Sequence, residues 1–392
     1  MIPGVIILLF IGALTTWSNY IVGVFKLRHR HIYGIDDVGM LLFGRIGKEV
    51  VAFVFMGFYV MTAGSAMLSI SIALNALSEH GACTAVFVAA AFVAVMAVAS
   101  VRTLGRIAWL AMVGVVCIIV AVFVVVVGVG VQDRPAAAPE GVHWQSDYKL
   151  VGNPSFLEAI AAISNIVFAY AGTGAFFSIV SEMEDPRLYT RALALCQSII
   201  SLVYLVVAVV VYYFCGSYVT SPAPGSAGPI IKKVSYGIGL PGLFVSGVLL
   251  GHVSSKYMFV RILRGSKHLT SNTFIHWSTW LGCVFGVCTV AYILASAIPV
   301  FNGIVGLAGA LFGTLLCFQP MGAMWLYDNW AAGKANPTMK WRLMVAWCVF
   351  VIVSGTFIMV AGSYGAISGI YDSYHAKGGT AAWSCADNSG SS

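Results

Sequence analysis

An all-α polytopic membrane protein is the fold class this 392-residue sequence predicts, and three observations predict it. The chain is 60% hydrophobic and 9% charged, with a mean hydropathy of +0.92, whereas soluble domains carry roughly a quarter charged residues. Apolar runs of roughly 20 residues, the length that crosses the hydrocarbon core of a bilayer, recur about ten times. One of them, Ile160 to Pro186, is interrupted midway by Ala171-Gly172-Thr173-Gly174-Ala175 and closes with Ser181-Glu182-Met183-Glu184-Asp185-Pro186. A helix broken in lipid leaves backbone groups unpaired, which is tolerated only where they face protein or a water-filled cavity. Breaks of this kind hold the solute in secondary transporters, so a solute carrier is the expectation.

The runs begin near Ile2, Val50, Ala82, Ile107, Ser155, Ala192, Gly239, Phe274, Phe301 and Leu343. Their orientation follows from the basic residues, which short cytoplasmic loops retain and short external loops exclude. Lys26, Arg28, Arg30, Arg45 and Lys48 follow the first run, Arg102 and Arg106 the third, and Arg187 and Arg191 the fifth. Arg261, Arg264 and Lys267 follow the seventh, and Lys334, Lys340 and Arg342 the ninth. The alternate segments hold only Arg134, Lys149, Lys232, Lys233 and Lys377, so both Met1 and Ser392 are expected away from the cytoplasm. The first run has no basic residue ahead of its apolar core and is too long for a cleavable signal peptide. A cytoplasmic start would be simpler, and it requires one more helix upstream. Residues 1–376 are read as the membrane domain, and the Gly/Ser/Ala-rich residues 377–392 as a disordered external tail.

Other chemistry finds no support. Cys117, Cys196, Cys283, Cys288, Cys317 and Cys348 lie within spans as small apolar residues. Cys83, Cys215 and Cys385 lie on or near the external side, where spacing leaves their pairing open. The sequence holds no Cys/His cluster with metal-ligand spacing, no P-loop for direct use of a nucleotide, and no nucleophile with a base or metal at depth. The net charge of +7 is mostly the loop bias, so no nucleic-acid partner is read from it. Neither enzyme activity nor a cofactor is expected.

Four stretches carry a family resemblance. Phe168-Ala169-Tyr170-Ala171-Gly172 leads into Ser181-Glu182-Met183-Glu184-Asp185-Pro186. Tyr33-Gly34-Ile35-Asp36-Asp37-Val38-Gly39 follows the first run, Val305 to Gly313 lies in the ninth, and Phe357 to Gly365 lies in the last. Together, in this order, they resemble the amino acid/auxin permease family, particularly its fungal neutral amino acid permease branch. The resemblance implies a LeuT-type fold of the APC superfamily: two inverted five-helix repeats and an extra helix, of which ten are present here and the first is absent. It implies secondary symport of a neutral amino acid, with H⁺ as the coupling ion and Na⁺ as the alternative. It also implies a multi-pass protein of the plasma membrane, the vacuolar membrane being the alternative. In such a fold the substrate amine meets carbonyls freed at the break in the sixth helix, which the broken run matches. A non-transporting amino acid sensor or an inactive truncated paralogue is the alternative function; oligomeric state is not legible.

The candidate site residues follow from the break and the resemblance. Ala171, Gly172, Thr173 and Gly174, with Asn165 one to two turns earlier, are expected to line the substrate, against the plainer reading of close helix packing. Phe168, Tyr170 and Phe176 flank the break and are expected to shape an apolar pocket, and Tyr59 matches a substrate-facing helix of the family. No acid or base lies near the break, which favours a neutral side chain. Lys256, an ionisable residue within a span, is costly there unless paired, hydrated or neutral. With Ser254, Ser255 and His252 it is the candidate for ion coupling, the alternative being that it snorkels toward the cytoplasm. Glu182, Asp185 and Arg187 are read as a cytoplasmic gate, the alternative being a solvated face.

Overall fold

The structure is a computed structural model that describes residues 1–102, 104–139, 144–298, 300–375 and 382–389, the stretch 104–108 by its backbone alone. Among the described residues, nine helical segments are long and apolar enough to cross a membrane, and a tenth apolar helix, Thr84–Ala99, is shorter. All ten fall on the runs read from the sequence. The chain packs as two compact units, one of Met1–Phe58, Val151–Val206 and Val305–Gly369, the other of Tyr59–Leu150, Val207–Ile304 and Ile370–Ser392.

The first unit contains α1 (Ile2–Arg28), the start of α2 (Ile35–Ser78), α5 (Phe156–Tyr170), α6 (Thr173–Glu182) and the start of α7 (Tyr189–Cys215). Most of the segmented ninth span and of α13 (Met339–His375) completes it. At 44 residues, α2 would be about 66 Å long if straight, far beyond the bilayer core. It bends instead at Gly44, whose φ of +69° suits glycine. Before the bend, Asp36 and Asp37 take Lys48 at 3.9 and 3.5 Å. The start of α5 is fixed by a capping box, in which Ser155 accepts from the Glu158 N–H and the Glu158 carboxylate accepts from the Ser155 N–H.

The ninth span, a single apolar run in the sequence, carries a stripe of small residues, Gly306, Gly309 and Gly313. It is segmented into α10 (Phe301–Leu307), a π-helical turn Ala308–Gly313, α11 (Thr314–Cys317) and α12 (Gln319–Ala335). The stripe does pack closely. A methyl group on Gly309 would overlap the Ser164 carbonyl oxygen and lie 2.8 Å from the Phe168 Cβ. The π turn lies where backbone meets backbone, and one extra residue per turn is not visible in hydrophobic periodicity.

The second unit contains the end of α2, α3 (Thr84–Ala99), α4 (Leu104–Val131), the end of α7, α8 (Pro229–Leu263) and α9 (Phe274–Ala297). With 16 residues, α3 spans only about 24 Å, so its last carbonyls need partners other than water. Neighbouring helices supply them: the His252 ring meets the Ala99 carbonyl through Nδ1 at 3.2 Å, and Trp280 Nε1–H donates to the Ser100 carbonyl at 2.8 Å.

The tail corrects its sequence reading in part. Residues 376–381, including Lys377, and 390–392 lie outside the described residues, but residues 382–389 are held in place. Cys385 is disulfide-bonded to Cys83, while Cys215 is buried and free. The Thr84 hydroxyl donates to the Ala386 carbonyl at 2.7 Å, Asn75 Nδ2 to Asn388 Oδ1 at 2.7 Å, and buried Lys232 Nζ to the Ser389 carbonyl at 2.6 Å. A Gly/Ser/Ala-rich composition reports no apolar core, but it does not report hydrogen bonds to a distant helix end. Nearby, Lys233 pairs with Glu79 and holds its carboxyl below the usual range. These contacts join segments that the loop charges assign to one side.

Gly309→Ala should lower stability by about 1–3 kcal/mol, the usual cost of overpacking. Gly286→Ala, with nothing within 4 Å of the added methyl group, should be close to neutral; thermal unfolding in detergent compares the two. Thiol titration of unreduced, denatured protein should find the seven free cysteines, and reduction should expose all nine.

Candidate functional site

The broken run is a broken helix. After Tyr170 the backbone leaves helical geometry at Ala171, with φ −79° and ψ 64°, and α6 begins at Thr173. Tight turns bridge the gap: Ala171 N–H donates to the Phe168 carbonyl at 3.0 Å and Gly172 N–H to the Tyr170 carbonyl at 2.8 Å. Helix ends leave carbonyls at one terminus and N–H groups at the other without intrahelical partners. Gly172 caps α6 without a side chain that could cover those donors. It is exposed, and a methyl group there would meet only Phe176, at 3.6 Å. Ala171, Thr173 and Gly174 are buried beside it.

The walls come from the same unit. The Phe168 ring lies 5.8 Å from that of Phe58, with its Cβ against Gly309. Gly174 faces the Phe55 ring, 3.3 Å from where a Cβ would stand. Asn165 reaches toward Gly306, and its Oδ1 is buried without a hydrogen-bond partner. Leaving such a group unsatisfied costs about 1–3 kcal/mol. The residues around the opening carry no formal charge.

Two flanking aromatics are engaged elsewhere. Tyr170 Oη–H donates to Ser201 Oγ at 3.1 Å, and its ring stands edge-on to Tyr204 at 5.2 Å. Phe176 packs 6.2 Å from Tyr189, against a cluster with Val180 and Leu193. Sequence reasoning missed Tyr204, whose hydroxyl donates to the Ala169 carbonyl at 3.0 Å in the last turn of α5. The signal was a polar Ser201/Tyr204 pair at helical spacing in an otherwise apolar run. At the far end of α6, Glu182, Asp185 and Arg187 are exposed, and no ion pair joins them among the described residues. Asp185 accepts the Arg187 N–H at 3.0 Å and so caps a short turn.

The remaining candidates belong to the second unit. Tyr59 is buried there. Ser254 and Ser255 are buried, their hydroxyls donating to the Leu250 and Gly251 carbonyls at 2.7 Å. His252 is buried against Trp280, ring centroids 5.1 Å apart, and its Nε2 has no partner. Lys256 is exposed rather than buried: one step of about 100° around a helix carries it off the face that Ser254 and Ser255 share.

A bundle of membrane-length helices with one broken at depth, its ends opening on uncharged polar groups, is the build of a membrane carrier. This chain belongs to the transmembrane amino acid transporter protein family, whose model matches residues 1–368; it is a transporter, not an enzyme. It is 35% identical over 393 residues to a transmembrane transporter of Gibberella moniliformis, covering 96% of this chain and 79% of that one. Similarity to a transmembrane transporter of Fusarium pseudograminearum is 34% with the same coverage. An N amino acid transport system protein of Neurospora crassa is 31% identical over 98% of this chain and 82% of its own length.

Asn165→Leu separates packing from binding. It removes an orphan acceptor with little change of shape, so the melting temperature should hold or rise. Amino acid affinity should fall by about tenfold, the equivalent of 1.4 kcal/mol; equilibrium binding to the purified variant checks both halves.

Proposed function

We propose that this chain carries a neutral amino acid by proton symport, using alternating access on a LeuT-type inverted-repeat fold. The observation that carries the reading is the break between α5 and α6, open at Gly172 and surrounded by uncharged groups. The substrate ammonium meets carbonyls at the end of α5 together with Asn165 Oδ1. The carboxylate takes the uncapped N–H groups at the start of α6, where the helix dipole adds roughly half a positive charge. Phe168, Phe58 and Phe55 form the wall for an apolar side chain. With no fixed charge in this wall, a basic or acidic side chain would lose hydration without compensation, which favours neutral substrates.

For the coupling ion, His252 is the residue of choice among the α8 candidates. Its ring has one nitrogen committed to Ala99 and the other bare and buried, and imidazole is the side chain whose ordinary titration range lies nearest physiological pH. Ser254 and Ser255 stand one turn or less away with hydroxyl oxygens able to accept further. Exposed Lys256 snorkels.

Proteoliposomes under an inward proton gradient should accumulate labelled alanine or leucine, and dissipating the gradient should stop accumulation. His252→Gln should remove the pH dependence of uptake, whereas Lys256→Met should retain it. Accumulation that follows a sodium gradient and ignores pH would overturn the proton assignment.

A further inference from the structure

The first unit holds a second polar site, formed where the end of α1 meets α12. A cavity of about 150 Å³ lies there; at roughly 30 Å³ per water it has room for about five waters, a small solute's worth. Its lining is apolar at Ile21, Phe25, Met324 and Trp325 and polar at Arg28, Asp328 and Asn329. The Asp328 side chain is 8% exposed and is met from two directions, by Arg28 Nη1 at 3.2 Å and His29 Nε2 at 2.7 Å.

This arrangement leaves capacity on both signs of charge. A guanidinium offers five N–H donors and a carboxylate about four lone-pair positions. Among the described residues Arg28 commits one donor, to Asp328, and its side chain is 51% exposed. Asp328 accepts one bond on each oxygen. Asn329 spends Nδ2 on the Trp325 carbonyl at 2.8 Å, leaving Oδ1 as an acceptor, and Trp341 Nε1–H fixes its backbone through the Asn329 carbonyl at 3.1 Å. Opposite charges 3.2 Å apart beside an apolar lining match a free amino acid: carboxylate on Arg28, ammonium on Asp328 and Asn329, side chain toward Trp325. The loop charges put this end of α1 and α12 on the cytoplasmic side, where imported amino acid arrives.

We infer that this cavity is a second amino acid site, on the cytoplasmic face, through which accumulated product slows further uptake. The inference rests on the neutral amino acid reading of the preceding section. It requires no chemistry beyond binding, and a zwitterion is favoured over a simple anion because Asp328 would repel the latter. The phosphoethanolamine headgroup of a phospholipid carries the same pair of charges and is the competing occupant.

Binding of labelled leucine to full-length protein in phosphatidylcholine nanodiscs tests this, with wild type, Asn165→Leu, Arg28→Gln and Met324→Trp compared. Met324→Trp narrows the cavity and leaves the ion pair intact, and the melting temperatures of both variants show that each is folded before its binding is compared. Wild type should show a second equivalent of bound leucine whose dissociation constant rises by about tenfold or more in Arg28→Gln and in Met324→Trp, as expected for losing a charge-assisted contact or the space itself. Asn165→Leu should weaken only the other equivalent. In proteoliposomes, the ratio of uptake with and without preloaded leucine should fall below one in wild type and return to one in both cavity variants. A single equivalent, weakened by Asn165→Leu alone, overturns this inference and leaves the transport reading standing. Displacement of the second equivalent by phosphatidylethanolamine but not by unlabelled leucine overturns it in favour of a lipid. No leucine bound by wild type overturns the transport reading itself, and this inference with it.

Discussion

Every backbone N–H and C=O inside a bilayer must find a partner, because no water is there to take its place. The break between α5 and α6 suspends that rule over a few residues, and much of the first unit is arranged around it. Tight turns close part of the gap through Ala171 and Gly172. The Tyr204 hydroxyl takes the Ala169 carbonyl, so the last turn of α5 is held although its ladder ends. What remains open is the start of α6, at Thr173 and Gly174, where the exposed Gly172 supplies no capping side chain. A carrier needs groups that a substrate can pair with and that protein has not already paired, and a broken helix supplies them without a fixed charge.

Holding α5 in place requires close approach. Ser164 and Phe168 pack directly on Gly309 within the π-helical turn, and Gly362 of α13 leaves room for the Ser164 hydroxyl. Small residues allow backbones to meet where lipid provides no hydrophobic drive for helices to associate. The second unit solves a related problem at a helix end. The short α3 stops within the unit and is finished by side chains from α8 and α9, His252 and Trp280, while its other end is joined to the tail through Cys83 and Thr84. His252 is therefore placed by its bond to Ala99, and its second nitrogen is left free of protein partners.

The spans and the break were legible because they follow from local rules: length, apolarity and a Gly-Thr-Gly interruption. The family followed from four short motifs in order. The fine structure of the ninth span was not legible, since a π turn changes helical register without changing composition. Pairings between distant residues were hidden for another reason. Arg28 with Asp328, and Cys83 with Cys385, are some three hundred residues apart, and spacing alone does not bring such residues together. Lys256 shares its span with the buried Ser254 and Ser255 but is exposed, because one residue is enough to change the face of the helix. Tyr170 and Phe176 were legible as neighbours of the break, but their side chains are committed to α7 contacts that the sequence does not announce.

The central question is whether the amino acid binds at the break between α5 and α6. Hydrogen–deuterium exchange of the peptide spanning Phe168 to Phe176, with and without a neutral amino acid, addresses this most directly. Rapid amide exchange is predicted at Thr173 and Gly174, the first residues of α6, in the free protein, with strong protection when the amino acid is added. Amides already protected in the free protein, or exchange that is unchanged while the amino acid demonstrably binds, would contradict it.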